Sequence, residues 1–168
     1  NKKVNKILYV IGSLNIGGAE QHLKKVVCQL EKKDWEIAIF THNDSENSLT
    51  QKINETSIKL FLTRYSNNLP FRSILKPLYC LFKLIKCIRN FKPTIIHFFL
   101  PESYILGSIA AFITGVPIKL MSRRSQNLYQ QKNSFYKLIG KSEKCLHPHM
   151  DLILGNSKNI IHELSNEG

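Results

Sequence analysis

Ile7-Leu8-Tyr9-Val10-Ile11-Gly12-Ser13-Leu14-Asn15-Ile16-Gly17-Gly18-Ala19-Glu20 joins an unbroken apolar run to a glycine-rich turn and the first residues of an amphipathic segment. The run reads as a parallel strand buried on both faces. A strand that ends in glycines and feeds a helix N-terminus makes an anion site. Free backbone N–H groups and the positive end of the helix dipole point the same way there. Glycines also let an anion reach the backbone with no Cβ in between. The chain thus opens as a phosphate- or nucleotide-handling unit. A plain strand-to-helix turn, with glycines for geometry alone, is the alternative reading of the same spacing.

Two better-known glycine loops fit poorly. In a Walker A loop, G-x-x-x-x-G-K-[ST], the lysine holds phosphate and the hydroxyl binds magnesium. Gly12 and Gly17 have that spacing, but Gly18 and Ala19 stand where Lys and Ser/Thr belong. The dinucleotide fingerprint G-x-G-x-x-G fails because Leu14 occupies its second glycine. A ribose-binding acid is expected after the second strand, which ends Phe40-Thr41-His42 with only Asp44 near.

Strand and helix patterns alternate along the rest of the chain. Residues 18–32 form a helix with the stripe Ala19, Leu23, Val26, Val27 and Leu30. Residues 35–41 and 57–63 read as strands, with a polar loop over 42–55 and a turn at 67–70. Residues 71–91 form a long helix. Its Leu75, Leu78, Tyr79, Phe82, Leu84, Ile85 and Ile88 exceed one stripe. That excess implies burial over a wide arc, with Lys83, Lys86 and Arg89 on the residual face. Residues 93–99 and 118–121 are strands around a helix at 101–114 closed by Gly115-Val116-Pro117. A polar loop at 122–132, a helix at 134–146, a strand at 150–154 and a last helix to 164 complete the pattern. Such alternation argues an α/β fold, a parallel sheet with helices on both faces. Its ligands bind at the strands' carboxyl ends. The candidates there are 12–20, Thr41-His42, Thr63-Arg64, 97–102, 122–126 and Asn156-Ser157.

The 168 residues, 43% of them hydrophobic, suit one domain. The missing initial Met and the stop just after a helical pattern point to a piece of a longer protein. Cys80 and Cys87 lie about 10 Å apart along one helix, too far to bridge. Without C-x-x-C or a signal peptide, a reducing cytoplasm is expected. The longest uncharged run, residues 103–118, is broken by Gly107, Gly115 and Pro117 and is too short to span a bilayer. The net charge of +12 is unevenly placed. No acid occurs between Glu55 and Glu102, or between Glu102 and Glu143. Such a field favours anionic partners, a membrane surface or a phosphorylated substrate among them. Nucleic acid is not expected, because Tyr79, Phe82 and Phe91 read as buried and not as stacking platforms. Cys145-Leu146-His147-Pro148-His149 has metal-ligand residue types, but nothing supplies a fourth ligand and no metal is expected.

The ordered set Ile7 to Ile11 with Gly17-Gly18-Ala19-Glu20, Lys92-Pro93-Thr94-Ile95-Ile96-His97, Gly115-Val116-Pro117-Ile118 and Ile153-Leu154-Gly155-Asn156-Ser157 resembles the N-terminal domain of a GT-B glycosyltransferase of the retaining group-4 family. The resemblance covers essentially all 168 residues. It implies a Rossmann-like, acceptor-binding domain over residues 1–168, with the nucleotide-sugar-binding domain absent from this chain. The whole enzyme would transfer a hexosyl unit from a nucleotide-sugar, with retention, to a glycan or lipid-linked acceptor in cell-surface polysaccharide synthesis. The sugar nucleotide is a substrate, and no cofactor or metal is implied. The isolated half would be inactive. The setting implied is cytoplasmic, peripheral on the inner face of an anionic membrane.

By position, Gly17 and Gly18 would present N–H groups to the donor diphosphate, and Glu20 would contact the acceptor. His97 matches a histidine ending the fourth strand. Many members carry a functional histidine just after the fifth strand, where this chain reads Met121-Ser122-Arg123-Arg124-Ser125. A guanidinium stays protonated and cannot act as a base. Arg123 and Arg124 would instead clamp a phosphate. Ser157 completes the donor-side set. The reading from another class is a non-catalytic Rossmann-like module for a phosphorylated small molecule or an anionic surface.

Overall fold

A computed structural model describes residues 5–14, 17–31, 33, 35–42, 53, 56–63, 72–123 and 134–166. Six strands form one sheet: β1 Lys6–Ile11, β2 Glu36–Thr41, β3 Lys59–Leu62, β4 Ile95–Phe99, β5 Ile118–Arg123 and β6 Leu152–Gly155. All pairings are parallel and the strand order is β3-β2-β1-β4-β5-β6. The helices are α1 Gly18–Glu31, α2 Arg72–Phe91, α3 Pro101–Thr114, α4 Ser134–Leu146 and α5 Lys158–Asn166. This is the Rossmann-like α/β architecture expected from the alternation.

Side chains of β1 alternate between the two layers, as a pleated strand requires. Ile7, Tyr9 and Ile11 join Leu23 and Val27 of α1 on one face. Leu8 and Val10 join Leu84, Cys87 and Ile88 of α2, and Tyr104 and Ala111 of α3, on the other. At the sheet's amino edge Glu36 sits between Lys6 at 2.7 Å and Lys59 at 2.6 Å. Both ammonium groups also lie over the Phe91 ring, at 5.4 and 5.6 Å from its centroid. The end of α2 is thereby fixed to the starts of β1 and β3.

Three expectations need correction. The strand β5 runs to Arg123 and does not stop at residue 121. Ser122 and Arg123 pair with Leu154 and Gly155, and the Arg123 side chain is buried, so its backbone stays in the ladder. β4 begins at Ile95. Lys92 has φ 53, and the Thr94 N–H and hydroxyl are both spent on the Lys6 carbonyl, at 2.9 Å each. The third correction concerns α2, which is not buried over a wide arc. Leu75, Leu78 and Phe82 are 41%, 57% and 65% exposed. The turn at 67–70 and most of the loops at 42–55 and 122–132 lie outside the described residues. Among those described, no helix is long and apolar enough to cross a membrane.

Helix α3 ends at Gly115 with φ 68, where the Gly115 and Val116 N–H groups bond the last carbonyls of the helix. A side chain in that left-handed conformation costs roughly 1–2 kcal/mol. Gly115→Ala should therefore lower the unfolding free energy by that amount in urea titrations and leave the circular dichroism spectrum unchanged.

Candidate active-site crevice

Parallel pairing puts the carboxyl ends of all the strands on one edge. The chain leaves β1 toward β2 and β3, then returns as β4 on the other side of β1. In open α/β sheets the covering helices diverge at such a switch, which puts the ligand crevice beyond β1 and β4. Gly12 and Leu100, the first residues after those strands, lie close together there. The Leu100 Cδ1 lies 3.9 Å from where a Gly12 Cβ would stand. Leu100 has φ 72 and ψ 150 and gives α3 no side-chain cap. Backbone strain of this kind, of order 1–3 kcal/mol, collects at functional sites. Pro101 bars Leu100 from the helical region, so the chain turns sharply into α3 at the mouth of the crevice.

The glycine turn lies at the head of α1 on the same edge. The Gly17 carbonyl accepts the Gln21 N–H at 3.1 Å. The Glu20 carboxylate folds back against Gly17, so close that a Cβ there would collide with Oε2. Glu20 is 8% exposed and lies in the first turn of the helix, where the dipole favours a negative charge. Gly18 differs: it is exposed, and a Cβ there would meet nothing within 4 Å. An incoming anion thus has open access on the Gly18 side and a carboxylate on the Gly17 side.

His97 lies mid-strand in β4, beneath this edge, and is 8% exposed. Its Nε2 is 2.7 Å from Ser122 Oγ on β5. Its ring packs on Phe99 at 4.6 Å and on Tyr9 at 5.4 Å. Burial, with His22 of α1 adding positive charge, pulls its pKa down to about 4. The imidazole is neutral near pH 7 and supports the floor of the crevice. His42, just after β2, is also buried and pulled down to about 4, by burial first and the Lys76 charge second. Neither of its ring nitrogens finds a partner among the described residues.

Arg123 does not face the crevice. It ends β5 on the opposite layer, and its guanidinium is 3.5 Å from Glu143 of α4, both side chains buried. Tyr104 adjoins the pair, with Glu143 and Arg123 both acting on its phenol. The His147 ring is 5.8 Å from the Tyr104 ring. A charge taken out of water needs such a partner, which explains why Arg123 turns inward. Arg124 lies outside the described residues. Ser157 caps α5, its Oγ accepting the Ile160 N–H at 3.3 Å. It sits beyond β6, about 10 Å along the sheet from β4. The structure therefore brings Gly17, Gly18 and Glu20 to the carboxyl edge with His97 underneath, and leaves Arg123 and Ser157 apart from them.

The stretch 97–102, expected to hold site residues, includes Leu100, but the strain at its Leu-Pro junction was not foreseen. His22 lies outside every expected stretch and carries no local signal. Cys145, His147 and His149 splay apart: Cys145 is exposed, His147 turns in toward Tyr104, and His149 meets Phe112 edge to face. A hollow of about 320 Å³ lined by Ile88, Arg89, Lys92 and Thr114 lies at the amino edge, away from this crevice.

An open parallel sheet with its glycine turn at the strand-order switch is a Rossmann-like domain. The chain matches the family described as Glycosyltransferase Family 4 over residues 16–168, and it belongs to that family. Solved structures with this fold include the apo form of the lipopolysaccharide outer core galactosyltransferase WaaB, 16% identical with a TM-score of 0.67 over 97% of this chain and 42% of that one. MurG of Acinetobacter baumannii is 13% identical, with a TM-score of 0.62 over 92% of this chain and 41% of that one. HepE of Anabaena, in complex with UDP, is 17% identical, with a TM-score of 0.64 over 91% and 38%. At these identities the likeness is one of fold. The chain spans less than half the length of each. No curated protein sequence matches it.

Two predictions follow from the buried polar groups. In the unfolded chain His97 and His42 titrate near 6.5. Between that value and about 4 the unfolded state binds protons that the folded state refuses. Stability is therefore complete above pH 6.5 and lost on acidification, by about 2 kcal/mol per histidine from pH 7 to pH 5. Denaturant titrations at the two pH values should show this loss, and His97→Phe should remove about half of it. For the ion pair, Glu143→Leu alone should cost about 3–5 kcal/mol, whereas Arg123→Met/Glu143→Leu together should cost far less. Equal losses in the single and double variants would contradict the pairing.

Proposed function

We propose that this chain is the acceptor-side half of a retaining glycosyltransferase that moves a hexosyl unit from a nucleotide-sugar to a glycan or lipid-linked acceptor of the cell surface. The observation that carries the reading is the open Gly18 backbone at the head of α1, beside the β1/β4 switch and next to the Glu20 carboxylate. As the sugar–phosphate bond breaks, negative charge grows on the leaving diphosphate. The Gly18 N–H and the α1 dipole stabilise that charge without a cofactor. Glu20, held against Gly17, accepts a hydrogen bond from an acceptor hydroxyl and aligns it. His97 is a positioning residue: its bond to Ser122 and its contact with Phe99 fix the end of β4. The nucleotide and the sugar are recognised by the second domain. The setting is the inner face of a membrane.

The test uses the full-length protein with a panel of nucleotide-hexoses. Gly18→Val fills the open side without touching the core. It should raise the KM for the donor about tenfold or more, a loss of about 1.4 kcal/mol of binding, with the melting temperature unchanged. Glu20→Gln should lower kcat more than it alters the donor KM. Nucleotide-sugar binding with no transfer to any acceptor would instead mark a binding module.

A further inference from the structure

The exposed face of α2 is unlike an ordinary solvent face. Leu75, Leu78, Phe82, Lys86 and Arg89 follow one another at spacings of three and four, which puts them on a single stripe. All five are exposed, as are Pro77 and Lys83 beside them. The stripe is apolar in its first half and basic in its second. The helix contains no acid anywhere. An apolar stripe bordered by Lys and Arg is the composition of a helix that lies in a lipid interface.

Its placement adds to this. Phe91, at the end of α2, lies under Lys6 and Lys59 at the amino edge of the sheet. The charge of Lys76, near the start, acts on His42 at the carboxyl edge. The apolar half of the stripe is therefore on the crevice side of the domain. We propose that this face docks on an anionic bilayer. Leu75, Leu78 and Phe82 enter the acyl boundary, and Lys83, Lys86 and Arg89 meet the headgroup phosphates.

A second copy of the chain fits the face less well. Laid parallel, the two stripes set cation against cation; laid antiparallel, they set cations against leucines with no acid to pair them. Nucleic acid is also disfavoured: of the five residues of the stripe only Phe82 carries a ring, exposed though it was expected to be buried, and Leu75 and Leu78 beside it give successive bases nothing to stack on. The inference takes the membrane setting from the function proposed above and none of its chemistry. A chain that binds vesicles but transfers no sugar would leave the docking surface standing and sink the transfer reading.

The experiment is co-sedimentation of the 168-residue chain with phosphatidylglycerol-containing vesicles and with pure phosphatidylcholine vesicles. Binding should favour the anionic vesicles strongly and weaken with salt. Lys86→Glu/Arg89→Glu should reduce the partition coefficient about 25-fold or more. Leu78→Ser/Phe82→Ser should reduce it about tenfold or more. Lys25→Glu/Lys141→Glu, a charge-matched control on exposed positions of α1 and α4, should lower it less than Lys86→Glu/Arg89→Glu does. Circular dichroism and melting curves confirm that each variant folds. Equal binding to both vesicle types overturns the proposal. So does binding that survives both α2 variants. Loss in those variants of self-association or of oligonucleotide binding, with vesicle binding intact, also overturns it and assigns the face to that partner.

Discussion

β1 is paired on both edges and covered on both faces, and the rest of the structure follows from that. Ile7, Leu8, Tyr9, Val10 and Ile11 are all buried, at roughly 1.5–3 kcal/mol for each large apolar side chain withdrawn from water. A strand placed this way needs neighbours on both sides. The chain must build outward once to β2 and β3, then come back across the sheet to lay down β4. The crossing is what separates α1 from α2 and α3. The crevice belongs where this separation falls, and Gly12 and Leu100 meet there because they are the first residues after the two central strands.

Buried polar groups hold the layers on either side in register. On the α1 side, His97 spends its Nε2 on Ser122 and its ring on Tyr9 and Phe99. One histidine thus ties β1, β4 and β5 below the crevice. On the other side Arg123 and Glu143 tie the end of β5 to α4. A buried ion pair is weak evidence for stability, since its desolvation rivals its attraction. It does penalise any arrangement of α4 that leaves either charge alone. The site is therefore framed by interactions that select one geometry more than they add net stability.

Much of this was legible in the sequence, and the failures share a physical origin. The unbroken run at 7–11 can only be a doubly covered strand, and the glycines that follow can only be its turn. Gly115-Val116-Pro117 reads as a helix end because only glycine takes φ 68 cheaply. Arg123 was misplaced because a charge after a strand looks like a loop residue until its partner is known. Glu143 is twenty positions away, on an element whose packing no local pattern reports. Leu100 fell within an expected stretch, but its strain was not legible because it comes from the meeting of β4 and α3. The α2 stripe was misread for the opposite reason: apolar spacing marks a face that avoids water, and it cannot tell whether protein or lipid supplies the cover.

That last ambiguity bears on how the crevice is used. A helix of twenty residues is about 30 Å long, enough to run from one edge of the sheet to the other. Its apolar half ends beside the strand termini, and its basic half points toward the amino edge. A surface that takes up Leu75 and Leu78 therefore lies alongside the mouth of the crevice. An acceptor carried on lipid would then reach Glu20 by moving within the surface plane, with its chains still in the bilayer. A soluble acceptor gains nothing from this arrangement. On the docking proposed for α2, a lipid-linked acceptor therefore fits the proposed acceptor site better than a free glycan does.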